Sequence, residues 1–240
     1  MIYNSMPRKK KEPTATDIAI GGSIFTNVNN VRTEFLVVHK GNPDASLYDS
    51  SCDGVWLLMK DCYKTSIWNN QLYNIYTNSY LNKEFNDADY LSLDTAVKNI
   101  IKQVKIPYCV GDGKKTINSG TNGLSCKVFA LSIIETGLTS STGPTEIEAN
   151  IDGAKLDYFE SGTGTSSNDK RKANYNNSVV NWWLRSPMVY DSSDYDTVYY
   201  ISTNGQAYYT SSLNNADYGY RPCFIIPHDT KLDANNNIVV

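Results

Sequence analysis

Covalent catalysis and metal binding draw on a short list of side chains, and this sequence holds few of them in a useful spacing. Its two histidines are His39, at the end of an apolar run, and His228, beyond the last such run. Neither stands in a spaced pair with another ligand type. The five cysteines, Cys52, Cys62, Cys109, Cys126 and Cys223, are odd in number and include no C-x-x-C. They read as free, mostly buried thiols of a reducing compartment, with neither a disulfide framework nor a zinc site implied. Gly111-Asp112-Gly113-Lys114-Lys115-Thr116 has the composition of a phosphate loop. Its spacing fails, because Tyr108 stands where the first glycine belongs and Lys115 where Ser or Thr should follow the lysine. Asp191, Asp194 and Asp196 lie close enough in sequence to share a cation, but no calcium-loop pattern surrounds them. They read better as solvated groups or ligand-facing acceptors. No catalytic residue, metal or cofactor is expected.

The remaining chemistry is non-covalent, and it is concentrated in the last quarter. Trp182-Trp183-Leu184-Arg185-Ser186-Pro187 opens this region and Tyr218-Gly219-Tyr220-Arg221-Pro222-Cys223-Phe224 closes it. The interval 188–220 is mostly Tyr, Ser, Asp and Asn, with four Asp and no Lys, Arg or Glu. Tyr gives a large contact area with few rotors, and Ser and Asn give adaptable hydrogen bonds, which together are the chemistry of a paratope. The tyrosines at 190, 195, 199, 200, 208, 209, 218 and 220 are too many to be accommodated easily in a core. The absence of basic residues favours neutral or cationic partners over phosphate-rich ones.

Such a surface needs a rigid scaffold. Ile24–Val28 and Arg32–His39 flank Asn29-Asn30, a hairpin pair, and Val55–Met59 reads as a further strand after Gly54. Ser79–Phe85 is a short helix candidate. Leu93, Val97, Ile100, Ile101 and Val104 fall at helical spacing, with Ser92 as N-cap and Pro107 as the stop. Gly111–Gly123 reads as a loop, Lys127–Ser132 as a strand, and 139–178 as turn-rich. Asn181–Arg185, Thr197–Thr203, Gln206–Ser211 and Arg221–Ile226 complete the strands, and Asn204-Gly205 is the strongest hairpin signal. Adjacent strand residues face opposite ways, so one of Trp182 and Trp183 is expected in the core and the other at the floor of a pocket. By the same alternation Tyr199 and Tyr209 are expected on the outward face, near Asp194. Arg185 and Arg221 read as structural guanidinium groups paired with carbonyls or carboxylates.

Three segments result: a basic leader or linker at 1–13 with Arg8-Lys9-Lys10-Lys11, one ligand-binding domain at 14–230, and a tail at 231–240. The net charge of -3 gives no global field for nucleic acid. No apolar run approaches the roughly 20 residues of a membrane span. The N-terminus lacks the apolar region of a signal peptide, so synthesis in the cytoplasm is expected.

Trp182-Trp183-Leu184-Arg185-Ser186-Pro187, an Asn-Gly hairpin, and Tyr218-Gly219-x-Arg221-Pro222-x-Phe224 together resemble the C-terminal signature of a C-type-lectin-like domain of Firmicutes and their phages. Asp53–Leu58, Ile101–Tyr108 and Val128–Ser132 resemble its upstream landmarks, and the likeness covers roughly 14–228. The resemblance implies an α+β, C-type-lectin-like fold with two helices and twisted antiparallel strands. It also implies the role of a variable protein of a diversity-generating retroelement, or of a phage tail receptor binder located in the virion tail. The partners would be a bacterial cell-surface protein or glycan and other tail proteins. The family's variable positions carry over onto Tyr190, Asp191, Ser193, Asp194, Tyr195, Asp196, Tyr199, Tyr208, Tyr209, Ser211, Asn214, Asn215 and Asp217. Adenine-directed mutagenesis of Asn codons yields Tyr, Ser and Asp, which is the bias of this interval. Calcium–sugar motifs of animal lectins are absent, and Cys223 stands alone where formylglycine-generating oxidases carry paired cysteines. Two alternatives remain: a structural tail or baseplate subunit, and an oxidase of that kind.

Overall fold

The computed structural model describes residues 12–87, 90–139, 152–189, 193 and 195–240. Along the chain, β1 (Ser23–Val28) and β2 (Val31–Lys40) pair through Asn29 and Asn30, whose φ angles are 51° and 60°. Both turn residues adopt the left-handed region that a tight hairpin requires and that Asn tolerates. The strand β3 (Val55–Met59) follows, then the two-residue β4 (Lys64–Thr65). Helix α1 (Tyr80–Asn86) starts where the Ser79 side chain accepts the N–H of Asn82. Helix α2 spans only Thr95–Ile100. Beyond it come β5 (Val104–Ile106), β6 (Tyr108–Gly111), β7 (Lys114–Asn118), β8 (Leu124–Cys126) and β9 (Val128–Phe129). Helix α3 (Thr165–Arg171) leads into β10 (Ala173–Tyr175) and β11 (Ser178–Val180). The chain then forms β12 (Trp182–Pro187), β13 (Thr197–Ile201), β14 (Ala207–Ser211), β15 (Gly219–Tyr220) and β16 (Cys223–Ile226).

Two five-stranded sheets dominate, in the orders β1-β2-β3-β16-β9 and β14-β13-β12-β15-β4. All their pairings are antiparallel except β12 with β15. The central strands of each sheet are buried on both faces. Trp56, Leu58, Trp182, Leu184, Tyr199 and Ile225 enter one hydrophobic cluster; Val55, Leu57, Met59, Trp183, Val198 and Phe224 enter a second. The period-2 alternation of a strand therefore feeds two cores at once. This explains why Val55–Met59, Trp182–Pro187 and Cys223–Ile226 are buried at every position. Trp182 and Trp183 do face opposite ways, but both are fully buried and neither floors an open pocket.

The expected α+β, C-type-lectin-like arrangement is overturned. Strand accounts for 36% and helix for 16%, in several antiparallel sheets, and the three α-helices among the described residues run to 7, 6 and 7 residues. The second helix shows the physical reason. Ile101 ends α2 with ψ at 124°, and Val104 and Ile106 already lie in β5, paired with β8. β-branched side chains at helical spacing suit a pleated surface as well as a helix, and here the sheet wins. Ser92 is not the N-cap; Asp94 takes that place and Ser92 has φ 42°. Part of the expected loop at 111–123 is a hairpin, turned by Asp112 and Gly113 at φ 56° and 68°.

Candidate functional site

The interval 188–220 is built on the β12–β13–β14 ribbon, whose register sets which tyrosines meet. Trp183 pairs with Tyr200 and Tyr200 with Tyr208, so three aromatic rings stand in a row across three strands. The Trp183 and Tyr200 centroids are 6.1 Å apart at 79°, and those of Tyr200 and Tyr208 are 6.1 Å apart at 30°. Tyr218 arrives from the turn before β15 and lies 4.7 Å from both Trp183 and Tyr200. The row runs from a fully buried Trp183, through a half-buried Tyr200, to Tyr208 at 45% exposure. Burial, followed by the hydrogen bond with Tyr218, pushes the Tyr200 hydroxyl above its ordinary value, so it is a neutral group at physiological pH.

Indole and phenol groups fix this row from behind. Trp183 Nε1 donates to Ser66 O at 2.8 Å and Trp68 Nε1 to Leu184 O at 2.8 Å. The Tyr220 hydroxyl donates to Ile67 O. On the opposite face Tyr199 pairs with Tyr209, edge to face at 6.2 Å. Asp196 joins the hairpin ends. Its Oδ2 accepts Ser211 Oγ at 3.0 Å and its carbonyl accepts Ser212 N at 2.8 Å. Asn215, at φ 63°, reaches back through Nδ2 to Thr210 Oγ1 at 3.3 Å.

The ribbon brings most of the expected residues together. Ser193, Tyr195, Tyr208, Tyr209, Asn214 and Asp217 are exposed, and Asp196, Ser211 and Asn215 are half-buried. Tyr195 is 50% exposed, and its carbonyl accepts Asn74 N at 2.7 Å. Tyr190, Asp191 and Asp194 lie outside the described residues. Tyr199 is a correction: it is 0% exposed, because on its side of β13 it packs into the cluster with Trp182, Leu184 and Ile201, while the edge strand beyond leaves Tyr209 exposed. Tyr200 and Tyr218, absent from the expected set, form the middle of the aromatic row. A two-residue Asn204-Gly205 turn would set Tyr200 opposite Tyr209; the loop takes in 203–205 instead, with Ser202 N bonded to Gln206 O, and that register places Tyr200 opposite Tyr208.

Side chains with reactive chemistry are held elsewhere. Arg185 forms a fully buried bidentate pair with Glu135 at 2.6 and 2.7 Å, and also donates to the carbonyls of Ala130, Pro107 and Asp152. Arg221 donates to the carbonyls of Met59 and Lys60 and lies 5.0 Å over Trp182. Both are structural ties. All five cysteines are free and buried, and burial pushes Cys52, Cys62 and Cys109 up to about 12. His39 Nδ1 is 2.8 Å from Asp157 Oδ2, close enough for an ion pair though out of line for a hydrogen bond. His228 Nε2 is 3.1 Å from Asp53. Among the described residues no three His, Cys, Asp or Glu side chains converge to hold a metal.

Residues 53–228, more than half of the chain, match the family model described as a domain of unknown function, DUF6273. That span includes the whole β12–β16 region. No curated protein and no solved structure matches the chain.

Proposed function

The chain belongs to the DUF6273 family, whose description assigns no activity, and we propose from the geometry that it is a ligand-binding module whose contact surface is the tyrosine-bearing ribbon of β13 and β14. The carrying observation is the aromatic row: Tyr208 stands exposed on a base of Tyr200, Tyr218 and Trp183 that is already packed. An exposed ring backed by fixed rings loses little freedom on binding, which is what makes aromatic anchors effective. Tyr209 and Tyr195 widen the surface at 44% and 50% exposure. The rim of Asp196, Ser211, Asn214, Asn215 and Asp217 supplies acceptors and amides without a cation, so the partner is neutral or basic.

The setting we propose is a phage or prophage tail, with a bacterial surface protein or glycan as the partner. Its support is the resemblance of the two C-terminal motifs and the Tyr, Ser, Asp and Asn bias between them, which fits adenine-directed diversification. No catalytic step belongs to this reading. The test is binding of the labelled chain to intact cells from a panel of bacterial strains, beside Tyr208→Ala and Tyr209→Ala. Each variant should stay folded, with at most a small fall in melting temperature, and lose about tenfold or more in binding, the scale of an interface anchor. Variants that bind as well as wild type overturn the assignment of the surface. A chain that binds no cell but assembles with tail proteins through this ribbon is a structural subunit. A gene remote from tail genes and from any reverse transcriptase with a template repeat removes the phage setting.

A further inference from the structure

A five-stranded sheet has two edges, and an edge that is left open invites a partner strand. The two sheets here have four edges, and three are blunted. β1 is covered by the C-terminal segment: Phe25 N donates to Asn236 O at 2.9 Å and Ile238 N to Phe25 O at 2.9 Å. β9 is capped by one side chain of α1, as Asn86 accepts Val128 N through Oδ1 at 3.3 Å and donates to Val128 O through Nδ2 at 2.8 Å. β4 is two residues long and carries Lys64, both common edge defences.

Among the described residues β14 has none of these defences. It is five residues, Ala-Tyr-Tyr-Thr-Ser, with no Pro and no Lys, and its ladder with β13 shows no register shift. The antiparallel ladder fixes which backbone groups are committed. Ser202 N bonds Gln206 O and Ser212 N bonds Asp196 O, at 2.8 Å each, so the bonded positions of β14 between them are Tyr208 and Thr210. Ala207, Tyr209 and Ser211 point their N–H groups away from the sheet. Among the described residues no hydrogen bond covers those three N–H groups.

We propose that β14 is a docking edge that takes up an extended, basic polypeptide strand of the partner, so that recognition proceeds by strand addition; this rests on the reading of the ribbon as the contact surface. Main-chain bonds to Ala207, Tyr209 and Ser211 would give affinity, and Tyr208 and Tyr209, on the two faces of the edge, would grip alternate side chains of the incoming strand. Charge selects the occupant. The interval 188–220 holds four Asp and no Lys, Arg or Glu, and Asp196 and Asp217 lie in or beside the ribbon. A second copy of this chain would bring like charges together, whereas lysines on an added strand would meet carboxylates.

The test is amide hydrogen exchange of the full chain, alone and with a ten-residue peptide of alternating Lys and Val/Thr, beside its Glu-for-Lys analogue. The Ala207, Tyr209 and Ser211 amides should exchange fast in the free chain and slow by about tenfold or more with the Lys peptide only. Tyr208 and Thr210 should be slow throughout. Tyr209→Pro, which removes an outward N–H together with the phenol and costs no bond to β13, should abolish the protection while Tyr209→Ala, which removes the phenol alone, retains part of it. If Tyr209→Pro melts early, the wild-type exchange pattern still decides. Slow exchange of the three amides in the free chain overturns the inference, as does protection that grows only with chain concentration, which would mean self-pairing. If the peptide changes nothing while chitotriose or maltotriose shifts the Tyr200 and Tyr208 ring signals, strand addition fails and the recognition reading stands.

Discussion

Tyr199 and Tyr208 have the same side chain and opposite fates, and the difference is one of layers. Tyr199 fills the cluster that holds Trp182, Leu184 and Ile201, whereas Tyr208 lies on an edge strand and is 45% exposed. Tyr199→Ala should therefore cost about 3–5 kcal/mol, as other large aromatic truncations in cores do. Tyr208→Ala should cost about 1 kcal/mol or less, the scale of a lost cross-strand contact. Urea melts of the two variants check this; equal shifts would mean that the edge is as well packed as the core. Asp152 offers a second residue-scale prediction. Burial raises its carboxyl to about 6, although Arg185 and the Ser186 hydroxyl pull the other way. In the unfolded chain the same group titrates near about 3.9. The native state thus takes up this proton first, so ionised Asp152 weakens the fold above pH 6 and the penalty fades as pH falls from 6 toward 4. Asp152→Asn should raise the melting temperature at pH 8 and leave it nearly unchanged at pH 4.5. Equal destabilisation at both values would show that the carboxylate is needed ionised. His39, lowered by burial, works in the opposite sense, which is why the difference between variant and wild type is the useful measurement.

At the scale of elements, the Asn204-Gly205 turn controls the site. Gly205 has φ +80°, and a Cβ there would lie 2.1 Å from the Asn168 carbonyl of α3. Gly205→Ala should cost about 1–3 kcal/mol or more through strain and this clash together. It should also speed exchange at the Tyr208 and Thr210 amides, since the turn sets the register of β13 on β14. Unchanged exchange in that variant would show that the flanking strands hold register without the turn. The same turn explains how much was legible beforehand. Asn29-Asn30 and Asn204-Gly205 located two hairpins, and the apolar runs located β3, β12 and β16, because turn chemistry and unbroken burial both leave local marks. The helix expected over Leu93–Val104 shrank to Thr95–Ile100, because the bond that decides it is long-range: Lys102 N donates to Ile225 O. The same is true of the site. The proposed site was chosen on residue type, but which tyrosines face outward was not legible, since alternation along β13 does not reveal that Tyr199 packs against Trp182 and Leu184.

For the whole molecule, the shared sheets decide how the chain unfolds. The two hydrophobic clusters are not two domains, because β2, β3, β12, β13 and β16 give alternate residues to each. Neither cluster can be lost without stripping one face from the strands that support the other. The Arg185–Glu135 pair strengthens this coupling, since it joins β12 to the segment after β9 and, through Tyr48 at 2.6 Å from Glu135, to the loop after β2. A buried charge left without its partner is costly, so partial opening there is disfavoured. The tryptophans report on both sides: Trp56 and Trp182 lie in one cluster, Trp68 and Trp183 in the other. A Trp182→Phe variant and a Trp183→Phe variant should each show one urea transition, with fluorescence and far-UV circular dichroism superimposing. Both are volume-reducing core changes, so each midpoint should fall below wild type. The decisive comparison is between the two probes within one variant, because both report on the same molecules. If fluorescence and dichroism separate in either variant, one cluster opens while the other stays packed. The tyrosine ribbon would then rest on a core able to loosen by itself, and the preorganisation assigned to Tyr208 would have to be withdrawn.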